Sequence, residues 1–515
     1  MAGALQETSR LLKEHLRLAG LPDDGQLWAV AQSPLGGRGL VASRDIAPGE
    51  LVFYDVPLVL GPRAGAHCPP VCAGCLQGFE ALLPCSRGCG LPVCSSQCES
   101  VPLHRFECQK LSSWGVRTNG SWSRELLRAS TPVRCLALSP TKRQVLQCLQ
   151  RHGGSQHAFE VDILKQKTEK GPSTEEEAFM RLACCVMDAN AFETAQIPLV
   201  KAVRTEEGTT PSLRGLYPLA SMMNHACTPN TRHGYDERQR MAVRAAMHIP
   251  AGTEITNSYT SLLWGTTARR YQLAVTKHFL CACSRCSDPQ EGGSRLAALR
   301  CLTPSCQGSM FPTEPLDDES MWECELCGCQ ATGRKAAITQ GTLGRLLCIV
   351  DSKNIAQMER FLCEHHHVMP STNQIVVEVK CNLIRSYGHA TGYSWTDVTT
   401  QKLELKERLC REVLQLLETL RAGQCRLRGL LLYELHCVLM ELRARRGRDS
   451  SDATVQVEKA FRSQLLSADQ ILHKDLGREA LACVQEAAEI LAGDITAPVD
   501  IELRLSTCRR DVTTA

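Results

Sequence analysis

The chain has 515 residues, too many for a single hydrophobic core, so roughly two to four domains are expected. Its formal net charge is only +3 with 22% charged residues, which leaves no electrostatic case for nucleic acid or an anionic membrane as partner. The 29 cysteines are odd in number, and the opening MAGALQETSRLLKEHLRL carries charges throughout in place of an apolar signal core. A soluble, reduced, intracellular protein of the cytoplasm or nucleus is therefore expected, and not a disulfide framework.

Residues 1–20 read as an amphipathic helix, with Leu5, Leu11, Leu12 and Leu16 near one face. From Trp28 to Leu60 the pattern changes to strands. Gly36-Gly37-Arg38-Gly39 is a glycine turn leading into Leu40–Ser43, and Ile46-Ala-Pro-Gly49-Glu50 is a turn ahead of Leu51–Leu60. Glycine tolerates φ > 0 and lets the backbone come close to a ligand. The second turn is echoed by Ile249-Pro-Ala-Gly252-Thr-Glu254, read as a separate turn and not as a domain repeat.

Between Cys72 and Cys108 eight metal-binding side chains come in four pairs: Cys72 with Cys75, Cys85 with Cys89, Cys94 with Cys98, and His104 with Cys108. Structural zinc takes four ligands, so eight make two sites, and a segment under about 40 residues does not hold itself folded without them. Cys68 falls outside this register and reads as a spectator. Residues 111–172 connect onward with helical pieces. Ser173-Thr-Glu-Glu176 is a capping box at the head of a helix reaching about Asp188, with Phe179, Leu182, Ala183 and Val186 on one face. Asn190 follows, read from its position alone as a helix C-terminal residue.

Short strands are expected at Met241–Ala245 and Glu254–Tyr259. Asn224-His225-x-Cys227-x-Pro229-Asn230 precedes them and packs a polar pair, a thiol and a stiffening proline into one short stretch. Cys281, Cys283 and Cys286 follow Phe279 as a close trio. One distant thiol, Cys227, joined to that trio around one zinc would tie two segments together over Tyr259. Cys301 and Cys306, then Cys324 and Cys327, read either as a small zinc ribbon or as reduced structural thiols. From about residue 335 the chain reads as helices, among them one carrying Leu405, Leu409, Val413, Leu416 and Leu420 at helical spacing. His365-His-His367 reads as a solvated loop.

The order NHxCxPN, Ser-Tyr, FxCxCxRC, within the longer wordings GLYPLASMMNHACTPNTRH, NSYTSLLWGTTARR and KHFLCACSRCSDP, resembles the SET and MYND domain-containing (Smyd) family of protein-lysine methyltransferases, in particular its arthropod SmydA group. The resemblance covers residues 26 to 290 well and the remainder loosely. It implies an α+β multidomain fold, with an N-terminal helix at 1–25, a β-rich SET domain divided between 26–66 and 199–262, and a MYND zinc finger at 67–110 inserted into it. A linker and helical insert at 111–198, a post-SET zinc site at 263–290 and an all-α tetratricopeptide-like domain at 335–515 complete it, with 291–334, whose thiols read as either a zinc ribbon or reduced structural thiols, between the last two. The MYND pairs of the family interleave, which would assign Cys72, Cys75, Cys94 and Cys98 to one zinc and Cys85, Cys89, His104 and Cys108 to another. The post-SET zinc would take Cys227, Cys281, Cys283 and Cys286. Glu99 and Val101 stand in the region where peptide-binding MYND fingers carry Gln and Trp.

The resemblance implies S-adenosylmethionine as cofactor. Gly37, the backbone of Arg38, and Gly39 would line its pocket with Asn190, Ser221, Asn224, His225 and Tyr259, while Phe279 would stack over the adenine and Tyr217 is a weaker candidate. Tyr259 is the expected catalytic residue, its hydroxyl either orienting the acceptor amine or favouring loss of its proton. The expected substrate is a lysine on a histone or non-histone protein, with further protein partners through the MYND finger or the C-terminal helices. The alternative is a catalytically weak or inactive SET/MYND adaptor acting in protein–protein interaction or transcriptional regulation.

Overall fold

The computed structural model describes residues 2–21, 27–34, 37–63, 68–79, 81–151, 158–195, 212–449 and 466–494, with short stretches at 497–498, 500–501 and 504–505. Gly36 of the expected glycine turn lies outside them. Helix α1 (Ala2–Leu18) buries Leu11, Leu12 and Leu16. On the same face His15 Nε2 lies 3.3 Å from the fully buried carboxylate of Asp55.

The strand-forming stretches β1 (Trp28–Gln32), β2 (Arg38–Ala42), β3 (Leu51–Asp55) and β4 (Val59–Pro62) alternate buried and more exposed residues only in part. Their partners arrive much later in the chain. Before them come β5 (Leu83–Pro84), β6 (Pro92–Val93), α2 (Ser96–Glu99) and α3 (Pro102–Ser113), which with the loops around them hold the eight paired ligands, Cys98 in α2 and His104 and Cys108 in α3. Four helices follow: α4 (Arg124–Cys135), α5 (Pro140–Cys148), α6 (Phe159–Lys167) and α7 (Thr174–Asn190). In α7 both bonds of the capping box form, Glu176 N to Ser173 Oγ at 3.2 Å and Ser173 N to Glu176 Oε2 at 3.0 Å.

Then come β7 (Phe192–Ala195), β8 (Ser212–Leu216), β9 (Asn224–His225), β10 (Thr231–Tyr235), β11 (Met241–Ala245) and β12 (Glu254–Asn257). They interleave with the first four strands in three sheets, ordered β1-β2-β12-β9, β10-β11-β3 and β4-β8-β7. The β9–β12 pairing is parallel, setting Asn224 opposite Thr256 and His225 opposite Asn257. Asn230 closes this crossing from the side: its amide nitrogen donates to Glu254 O at 2.8 Å and its Oδ1 accepts the Thr256 N–H at 2.8 Å. The two similar turns meet here as well, since Ile46 and Ile249 exchange both backbone hydrogen bonds at 2.9 Å.

Helices α8 (Thr266–Lys277) and α9 (Ser284–Ser287) lead to a four-stranded sheet, β13 (Leu299–Arg300), β14 (Ser309–Pro312), β15 (Trp322–Cys324) and β16 (Gln330–Ala331), in sequential order. The remaining helices are α10 (Gly333–Ile349), α11 (Ile355–His365), α12 (Gln374–Ser386), α13 (Thr400–Thr419), α14 (Arg426–Asp449) and α15 (Leu466–Leu491). From α11 on, each packs against the next, around a core that includes Leu409, Val413, Val438, Leu439 and Val484. The chain is thus α+β, with a helical C-terminal region. Among the described residues no helix is long and apolar enough to cross a membrane, and no disulfide forms.

Two expectations change. The strand expected over Glu254–Tyr259 stops at Asn257, because the Tyr259 N–H is taken by His225 Nδ1 at 3.0 Å in place of a strand partner. Tyr217 does not line a pocket: it is fully buried beyond the end of β8, and its hydroxyl donates to Gln239 O at 2.8 Å.

Candidate active site and zinc centres

A tetrahedral zinc with Zn–S bonds of about 2.3 Å holds its sulfurs about 3.8 Å apart. Four clusters have that scale, and within each all ligand atoms lie within 4.8 Å of one another. The first is Cys72, Cys75, Cys94 and Cys98, with Cys75 and Cys94 sulfurs 3.8 Å apart. The second is Cys85, Cys89, His104 and Cys108, with Cys85 and Cys108 at 4.0 Å and His104 Nε2 3.4 Å from Cys85 Sγ. The pairs therefore interleave, and Cys68 stays apart, its carbonyl accepting from Arg124. Gly88 and Gly90 both take positive φ, +74° and +75°, which accommodates the three-residue gap between Cys85 and Cys89.

The third cluster joins Cys227, beside the β9–β12 crossing, to Cys281, Cys283 and Cys286, with Cys227 sulfur 3.9 Å from Cys281 and 3.5 Å from Cys286. The fourth joins Cys301, Cys306, Cys324 and Cys327 across the small sheet, with Cys306 and Cys324 at 3.7 Å. Between the two open readings of those thiols, the geometry fits zinc. Each set has four protein donors and leaves no open position for catalysis, so all four are structural in type. Metal analysis of purified protein should return four zincs per chain. A value of two or below would remove at least two of these assignments.

Buried charges brace the clusters. Arg134 of α4 bonds Glu107 Oε1 at 2.5 Å, Ala73 O at 2.7 Å and Leu60 O at 3.0 Å, so one guanidinium joins the paired-ligand segment to strand β4. Glu107 in turn lies 3.8 Å from His104 Nδ1, the ring nitrogen facing away from the thiols. At the third cluster Arg269 donates to Cys227 Sγ at 3.2 Å and Cys286 Sγ at 3.4 Å, and pairs with Glu291 at 2.6 Å, all fully buried.

Beside this cluster lies the candidate active site. Asn224 Nδ2 donates to the Arg38 carbonyl at 3.0 Å and to Glu254 Oε1 at 2.7 Å. A Cβ on Gly39 would stand 2.3 Å from that same Glu254 oxygen, so any larger residue there would have to displace the carboxylate that Asn224 holds. The Arg38 guanidinium points elsewhere, to Thr8 Oγ1 at 2.7 Å and Cys148 O at 2.6 Å, leaving its backbone toward Asn224. His225 is buried, and its Nε2 lies 3.2 Å from Cys227 Sγ while Nδ1 accepts from the Tyr259 amide. With Nδ1 accepting, the proton belongs on Nε2, facing the thiolate. Burial lowers the His225 pKa to about 4, keeping the ring neutral.

Tyr259 is half-buried, 5.3 Å from the His225 ring, and its hydroxyl donates to Met223 O at 2.6 Å. Burial raises its pKa, so it is a neutral phenol and not a base. Phe279 keeps an exposed ring 6.1 Å from that of His225. Asn190, at the end of α7, donates to Gln150 O and Val186 O at 2.6 and 2.7 Å. Ser221 donates to Tyr217 O at 2.6 Å and also reaches Asn190 O at 3.4 Å. A cavity of about 660 Å³ is lined in part by Glu160, Asp188, Phe192, Arg214, Thr276 and His278, and not by Asn224, His225 or Tyr259.

Glu254, Arg269, Glu291 and Lys277 were not singled out from the sequence. Each acts through a neighbour that only the folded chain supplies, so no local spacing marks it.

Fold and site together define a SET domain, and the SET domain family matches residues 37–260. The SET domain-containing protein SmydA-8, isoform B, of Drosophila melanogaster is 32% identical over 444 residues, covering 84% of this chain and 96% of that protein. The mouse histone-lysine N-methyltransferase SMYD3 is 29% identical over 316 residues (57% of this chain, 69% of its own), and the chicken N-lysine methyltransferase SMYD2 is 28% identical over 292 (55% and 64%). The chain belongs to the SET and MYND domain-containing family, within its SmydA group.

Proposed function

We propose that this protein is an S-adenosylmethionine-dependent protein-lysine N-methyltransferase. The observation that carries this is the Asn224–His225–Tyr259 constellation, fixed on one side by Gly39 and Glu254 and on the other by the Cys227 thiol cluster. S-adenosylmethionine would supply a methyl already activated as a sulfonium, so the chain's task is to bind, orient and exclude water. Asn224, His225 and the backbone of residues 37–39 would hold it, with Phe279 over the adenine and Asn190 and Ser221 at its edge. The Tyr259 hydroxyl spends its only proton on Met223 O, which leaves its oxygen lone pairs to accept an N–H of the incoming lysine. Its ring walls the channel.

The domain layout follows the same reading: a SET domain at 26–66 and 199–262 interrupted by a MYND finger at 67–110 and a helical insert to 198, then post-SET to 290, a zinc ribbon to 334 and a helical C-terminal domain. A protein with a target lysine is the substrate. Fifteen thiols gathered in four clusters need a reducing compartment, so the cytoplasm or nucleus is its setting.

Calorimetric titration of S-adenosylmethionine into wild type and Asn224→Ala tests the reading. Wild type should bind, and the variant should bind at least about 10-fold more weakly, because the amide linking the Arg38 backbone to Glu254 is lost. Absence of binding by folded, zinc-loaded wild type would leave the fold as a scaffold and favour the adaptor.

A further inference from the structure

Lys277 is the last residue of α8, two positions ahead of Phe279. Its ammonium donates to the main-chain carbonyls of Ala189 at 2.8 Å and Asp188 at 3.2 Å, next to Asn190, and stands 5.5 Å from the centroid of the Tyr259 ring. A primary amine of the chain itself thus lies against the residue proposed to receive a substrate amine. Among the described residues no carboxylate forms an ion pair with it; the adjacent acid, Asp188, is committed to Arg214. Burial, with Arg214 acting in the same direction, lowers its pKa to about 8, so a useful fraction is uncharged near neutral pH.

The hydrogen bonds also set a direction. A neutral amine that spends two N–H bonds on two carbonyls has its lone pair in the remaining tetrahedral position, away from the α7 carbonyls. A methyl placed there displaces no hydrogen bond, whereas a second methyl would displace one. A tethered amine moreover reaches its reaction partner at an effective concentration that free protein substrates do not match.

We propose that Lys277 is an internal methyl acceptor, which the protein converts to N-methyl-lysine in the Tyr259 site. The Nζ lone pair bonds to the methyl carbon of S-adenosylmethionine as the methyl–sulfur bond breaks. S-adenosylhomocysteine leaves, the positive charge stays on a secondary ammonium that keeps its two N–H bonds to the carbonyls, and the proton given to solvent is the one shed beforehand in forming the neutral amine. The inference rests on the methyltransferase reading above and adds a modification site to it; it stops at one methyl.

The test uses the zinc-loaded full chain with S-adenosylmethionine carrying a deuterated methyl, and no other protein. Mass spectrometry of the peptide Tyr271–Arg285 should show one deuterated methyl on Lys277. Its rate per molecule should not change with protein concentration. The label should vanish in Lys277→Arg, which keeps donors for both carbonyls. If calorimetry shows the cofactor bound and added proteins are methylated while Lys277 stays unlabelled, this inference alone falls. If the cofactor does not bind, both readings fall. Labelling of Lys277 that accelerates with protein concentration would mean transfer between copies and would likewise overturn an internal acceptor.

Discussion

Tyr259→Phe should lower methyl transfer to a protein lysine by at least about 100-fold while changing S-adenosylmethionine affinity by less than about threefold. The hydroxyl is held by Met223 O at 2.6 Å, and burial keeps it protonated, so its contribution is a fixed oxygen that accepts from the amine. Removing it costs the fold about 1 kcal/mol, the worth of one hydrogen bond, so lost activity will not be lost folding. The ring remains, and with it the wall of the channel. Single-turnover rates and calorimetry on the same preparation separate the two effects. A variant as active as wild type would show that another group orients the amine.

Arg269→Met should destabilise the protein by about 3–5 kcal/mol and loosen zinc at the third cluster. The substitution strands the buried Glu291 carboxylate, to which Arg285 remains only at 3.5 Å, and removes two N–H donors from Cys227 and Cys286. Urea titration should show the loss, and a zinc-sensitive dye should report release at lower denaturant than in wild type. Adding Glu291→Gln should recover part of the stability, because the unpaired charge is then gone. A single variant within about 0.5 kcal/mol of wild type would mean that water reaches the site.

What could be read from the sequence was the chemistry that is local in the chain. Paired cysteines three to five positions apart and the Ser173–Glu176 box each declare themselves within one turn, because the residues that interact are neighbours. Asn224, His225 and Cys227 were legible because so many functional groups crowd one stretch. Glu254 was not: it looks like any strand residue until β12 sets it beside Asn224 and Gly39. Arg269 and Glu291, 22 positions apart, carry no spacing signal, since a buried ion pair is created by packing. Tyr217 shows the reverse error. A tyrosine inside a motif-rich stretch looked like a pocket residue, yet it faces the core at the end of β8.

The sheet topology has a consequence for how the chain is made. Strand β2 ends at Ala42 and waits for β12, which begins at Glu254, and β3 likewise waits for β11. At about 5–20 residues per second on the ribosome, that delay is roughly 10–40 s. During it the apolar strand Leu51–Asp55 has no partner to cover it, while the paired-ligand segment that follows can close as soon as Cys108 emerges and metal is at hand. The strand that waits for β11, and not the finger, is therefore the part of the nascent chain most open to aggregation until the second half of the sheet emerges.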